Sequence, residues 1–134
     1  MERQIIFRGK CVPESKYAGE WVEGGCVQCE NGETLIISAQ SDHCTSTYHV
    51  IPDSVGQFTG LSDAYGKDIY EGDIVKTTMP PIETFVIGYE ESHIGAFSLC
   101  TKEGFAGIFG RDGYEPFYVE VIGNIHDNPE LLKQ

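Results

Sequence analysis

Val27-Gln28-Cys29-Glu30-Asn31-Gly32-Glu33-Thr34-Leu35-Ile36-Ile37-Ser38 sets two strand-sized runs on either side of an Asn-Gly pair. Asn and Gly tolerate the positive φ angles of a type I′ turn, so this stretch predicts a β-hairpin with a two-residue turn at Asn31 and Gly32. The same alternation of short apolar runs and turn residues continues on both sides. Upstream, Arg3 to Phe7 predicts a first strand, and Glu20-Trp21-Val22 opens a second after the loop from Pro13 to Gly19. Downstream, Thr47 to Ile51 predicts a strand that Pro52 stops, because proline cannot donate to a ladder. Glu83 to Tyr89, Ala96 to Thr101 and Phe117 to Gly123 read as further strands. Glycine occurs 16 times in 134 residues, about 12% against a usual 7%, and punctuates these runs. The fold class that follows is mainly β, closed by a short C-terminal helix with Asp127 or Asn128 as cap and Pro129 at its first position.

A chain of 134 residues holds one domain or two very small β units and excludes the large α/β scaffolds of about 250 residues. The stretch Ile69-Tyr70-Glu71-Gly72-Asp73-Ile74-Val75-Lys76 resembles the opening of a small SH3-like barrel, in which a Gly-Asp turn delivers a short apolar strand into the wall. The expected subdivision is therefore an N-terminal β unit over 1–55 and an SH3-like β unit over 56–134. The turn-rich segment from Gly56 to Tyr65 joins them.

Charge narrows the partners. With 9 basic and 21 acidic residues the net charge is −12, which disfavours DNA, RNA and anionic membranes. Trp21, Tyr48, Phe58, Tyr65 and Tyr70 could stack on bases, but that charge opposes direct nucleic-acid binding. No run approaches the roughly 20 apolar residues of a membrane span, and the N-terminus has three consecutive apolar residues where a signal peptide needs about 7 to 15. Five cysteines, an odd number, then fit reduced thiols in a cytosolic protein.

Three constellations could carry chemistry. Cys26 and Cys29 form a Cys-x-x-Cys pair that, with His43 and Cys44, could supply zinc ligands. A zinc ribbon would bring a second such pair, and adjacent strand residues such as His43 and Cys44 point to opposite faces, so small apolar fillers are the competing and favoured account. Carboxylates gather at Asp63, Asp68, Glu71 and Asp73, where a divalent cation could sit; the spacing fails the EF-hand pattern and fits a solvated turn. Glycines 104, 107, 110 and 113 suit a mobile or bulged hairpin, whose Phe105, Ile108 and Phe109 are expected to pack inward. His43, His49, His93 and His126 lack metal-site spacing, and no activated serine motif occurs. No catalytic residue and no cofactor is therefore expected.

The segment Ile51-Pro52-Asp53-Ser54-Val55-Gly56-Gln57-Phe58-Thr59-Gly60-Leu61, followed by Asp63-Ala64-Tyr65-Gly66-Lys67-Asp68-Ile69-Tyr70-Glu71-Gly72-Asp73-Ile74-Val75, resembles the YopX family of phage and prophage proteins. So does the ending, Val121-Ile122-Gly123-Asn124-Ile125-His126-Asp127-Asn128-Pro129-Glu130-Leu131-Leu132, and Phe7-Arg8-Gly9 with Trp21-Val22 fits the family's start. Residues 90–116 carry least of the likeness. The resemblance implies a mainly β protein of a phage or prophage, acting in a bacterial cytoplasm, with no established activity and no catalytic residue to transfer. The expected function is a non-enzymatic protein-interaction module that forms homo-oligomers and engages a host or phage protein. The alternatives are a metal-binding protein using Cys26, Cys29 and Cys44 or the Asp63 to Asp73 carboxylates, and an acidic mimic of nucleic acid.

Overall fold

The computed structural model describes residues 4–41, 44–90, 96–101, 104–110 and 115–132, and within it the chain divides into two compact units, Met1–Phe58 and Thr59–Gln134. His43, His93 and Gly113 lie outside the described residues.

In the first unit, strands β1 (Phe7–Lys10), β2 (Trp21–Gln28), β3 (Thr34–Ser41) and β4 (Cys44–Val50) pair antiparallel in the order β4-β3-β2-β1. Among the described residues the first strand begins at Phe7, where pairing with Gly24 begins, after Gln4 to Ile6; Arg3 lies outside them. The hairpin at 27–38 is present, with Gln28 opposite Thr34 and Val27 opposite Leu35. Its loop has three residues rather than two, because the Gly32 N–H donates to Cys29 O at 3.0 Å and the Cys29 N–H to Glu33 O at 2.8 Å. Gly32 supplies the left-handed residue (φ +91°), while the Asn31 side chain accepts from the Glu33 N–H at 3.0 Å. This matches a turn completed by a left-handed bulge glycine.

The last residue of β4, Val50, returns to the chain beyond β1 through a single bridge to Cys11. The Val12 N–H donates to His49 O and the Ile51 N–H to Lys10 O. Cys11, Thr34, Ile36 and Val50 are buried in this unit.

The chain continues through β5 (Gly56–Ser62), and in the second unit β6 (Asp68–Tyr70) is followed by β7 (Asp73–Thr77), β8 (Thr84–Glu90), β9 (Ala96–Thr101), β10 (Gly104–Ile108) and β11 (Val119–Asn124). β7 to β11 form an antiparallel sheet in the order β10-β9-β8-β7-β11. The outer strands β10 and β11 each pair with one neighbour, so the described residues make an open sheet and no closed barrel. The Gly-Asp turn foreseen at Gly72 and Asp73 leads into β7, and Ile69, Val75, Phe85, Ile87, Leu99, Phe109 and Val119 bury one another as the core. Of the three apolar residues on the glycine-rich stretch, Phe109 joins that core, whereas Phe105 stands 51% exposed. Where a C-terminal helix was expected the chain makes one 3-10 turn at Pro129–Leu132, with the Leu131 N–H bonded three residues back to Asn128 O.

Candidate interaction surface

Asp63 and Asp73, two of the four clustered carboxylates, are buried and committed to backbone amides. Asp63 Oδ1 accepts from the Tyr65 and Lys67 N–H groups and Oδ2 from the Val121 N–H, each at 2.9 Å. Burial pushes the Asp63 carboxyl up, but the amides of Val121, Lys67 and Tyr65, with the Lys67 charge, outweigh it and hold the group below its ordinary value. Asp73 Oδ2 accepts from the Tyr70 N–H at 2.8 Å, which ties β6 to the start of β7. Asp68 accepts from the Ser62 hydroxyl. These side chains build turns.

The cysteines are dispersed. Cys26 sits opposite Ile36 on β3, and Cys44 sits opposite Ser41 at the other end of the same strand. At about 3.3 Å per residue those positions are roughly 16 Å apart along β3, too far for thiolates that must each reach one zinc at about 2.3 Å. Among the described residues no group of three or more His, Cys, Asp or Glu is arranged to hold a metal ion. Burial raises the Cys26 thiol, and burial followed by the Glu20 charge raises that of Cys11, which weakens both as nucleophiles. His49 is exposed on β4 and His126 follows β11, each in a different unit.

The surface that stands out was missed in the sequence. Between β7 and β8 the loop Met79-Pro80-Pro81-Ile82 exposes Met79 (61%) and Ile82 (58%), and before β11 the 3-10 turn Pro116–Tyr118 exposes Phe117 (59%) and Tyr118 (40%). Large apolar side chains exposed together mark surfaces that meet something else. Met79, Pro80, Pro81, Glu83 and Tyr118 line a cleft of about 380 Å³ with Phe85 among its walls. The rings of Phe117 and Tyr118 are tilted together at 4.4 Å between centroids.

This ledge is fastened. The Thr78 N–H and hydroxyl both donate to Tyr118 O, at 2.8 and 3.1 Å, so the loop is pinned to the turn. Thr77 closes the loop on itself, its hydroxyl donating to Pro81 O and accepting from the Glu83 N–H. Glu115, the residue before the turn, has one carboxylate oxygen buried with no hydrogen-bond partner among the described residues. Sequence alone offered one signal: four apolar residues in a row at a point where two prolines forbid a strand.

No helix among the described residues is long and apolar enough to cross a membrane. No curated protein matches the chain. The crystal structure of protein EF1440 from Enterococcus faecalis resembles it with a TM-score of 0.56 at 21% identity, over 98% of this chain and 99% of that one, a likeness of fold. The description "YopX protein" belongs to the family model that matches residues 7–133, and with nearly its whole length covered the chain belongs to the YopX family.

Proposed function

We propose that the protein is a non-enzymatic interaction module that holds another protein on the ledge of its second unit. The observation that carries this is the exposure of Met79, Ile82, Phe117 and Tyr118 on two segments locked together through Thr78. A preformed apolar surface loses little conformational freedom on binding, so its buried area is converted to affinity efficiently. Glu83 in the cleft favours a partner that brings basic residues. The setting is the cytoplasm of a bacterium carrying a phage or prophage, as the family resemblance implies. An SH3-like type for the second unit is favoured by the order β10-β9-β8-β7-β11, in which the first sheet strand lies between the second and the fifth, and by the 3-10 turn before the last.

The test is a photo-crosslinking residue at position 117 in cells of the lysogenic host, with position 65 as the exposed control. Adducts at 117 that disappear in the Met79→Ser/Ile82→Ser variant support the ledge. Adducts equal at both positions, or unchanged in the variant, overturn it.

Self-association is the second reading, favoured by a separate observation: among the described residues β10 is paired on one side only and carries exposed Phe105. Unprotected strand edges invite pairing with another copy. Sedimentation velocity of wild type against Phe105→Lys decides it, because an oligomer built on that edge dissociates in the variant.

A further inference from the structure

The first unit contains a second concavity, independent of the ledge. It is a groove of about 500 Å³, within the usual size range of ligand pockets. Its apolar side is made by Val12, Val50 and Pro52, and its polar rim by Glu14, Glu33 and His49. Three elements contribute: the loop after β1, the β2–β3 hairpin and the end of β4.

The groove is preformed. The Ser15 N–H donates to Val12 O and the Ala18 N–H to Ser15 O, folding the loop into successive turns. Tyr17 then meets Tyr48 of β4 edge to face at 5.3 Å. On the far side the Ser54 hydroxyl donates to Ile51 O and accepts from the Lys10 N–H, which fixes the chain around Pro52.

The lining has two carboxylates and neither lysine nor arginine. Glu33 Oε2 lies 3.6 Å from His49 Nδ1, beyond hydrogen-bond length but within ion-pair range of a protonated imidazole, an exposed and weak contact that a guanidinium would have to displace. Both Glu14 and Glu33 are exposed, so each carboxylate meets an arriving ligand directly. An apolar wall with two acidic groups on its rim is complementary to a flexible aliphatic stem ending in a cation. A guanidinium, with five donors in a planar fork, can address carboxylates on two different elements at once.

We infer that this groove binds an arginine side chain presented by a partner protein, the methylenes lying on Val12 and Pro52, with Val50 buried beneath them, and the guanidinium between Glu14 and Glu33. The partner class is thus a protein with an exposed arginine.

The experiment uses the full chain, isotope-labelled, titrated with N-acetyl-arginine methylamide and separately with the citrulline analogue, which keeps the shape and lacks the charge. The expected result is saturable chemical-shift change at Val12 and Val50 for the arginine probe and about tenfold weaker binding for citrulline. Glu14→Gln/Glu33→Gln, two exposed positions whose change leaves the fold intact, weakens the arginine probe by a similar factor, on the scale of two exposed ion pairs. An arginine-containing tripeptide that binds more tightly than the blocked residue supports the protein-borne source. No shift at Val12 and Val50, equal binding of citrulline, or an unaffected double variant overturns the inference, and a free amine such as agmatine binding better than every peptide overturns its assignment to a protein partner.

Discussion

Asp63 and Val121 are 58 residues apart in sequence and joined by a 2.9 Å hydrogen bond from the Val121 backbone N–H to Oδ2 of Asp63. One side chain thereby ties the turn before β6 to the last strand, while its other oxygen organises the turn itself through Tyr65 and Lys67.

Asp63→Asn keeps the size and loses one acceptor oxygen, placing an NH₂ against a backbone N–H. Hydrogen bonds to a charged group are worth about 1.5–3 kcal/mol, and a buried donor left facing a donor adds to the loss. The expected destabilisation is about 2–3 kcal/mol by urea unfolding at neutral pH. A variant as stable as wild type would show that the other contacts of the turn suffice.

Acid should weaken the fold through the same residue. The folded-state pKa of Asp63 is lowered, so its stabilisation is fully present above the unfolded value of about 3.9 and is lost as pH falls through the lower folded value. Urea midpoints measured at pH 7 and near pH 3 should therefore converge between wild type and Asp63→Asn. Persistence of the full gap at the lower pH contradicts this.

Neighbouring glycines in β2 should respond differently to one methyl group. A Cβ at Gly24 would lie 2.1 Å from the Ile37 carbonyl oxygen, whereas a Cβ at Gly25 meets nothing within 4 Å. Gly24→Ala must displace backbone and is expected to cost about 3 kcal/mol, the upper range for overpacking. Gly25→Ala should stay within about 1 kcal/mol of wild type. Comparable denaturation midpoints for the two variants would be the contrary result.

Thiol chemistry should follow exposure. Cys44 is exposed, and Cys11 is buried with its thiol raised by burial and by Glu20. A disulfide-exchange reagent followed by peptide mass mapping should label Cys44 first and Cys11 last, with Cys26 and Cys29 between them. Early labelling of Cys11 in folded protein would contradict the packing around Val50.

Much of the architecture was legible because it is local. The strand from Val27 toward Gln28, the glycine at position 32 and the apolar run from Ile69 through Val75 each carry their meaning in neighbouring residues. The turn length was misjudged because Asn31 uses its side chain as an acceptor, an option equally open to an asparagine in a two-residue turn. The ledge escaped for a different reason. The apolar run from Met79 to Ile82 marks a loop, but nothing in it tells that Tyr118, 40 positions beyond Thr78, is brought beside it. The acidic cluster reads as a turn and is one, but its burial and its bond to Val121, far along the chain, are not visible in the neighbouring residues.

The double hydrogen bond from Thr78 to Tyr118 makes the ledge a discontinuous epitope. Whatever recognises it reads the folded shape, so an antibody raised against it should ignore the denatured chain. Neither the Met79 segment nor the Phe117 segment, synthesised as a free peptide, would reproduce it.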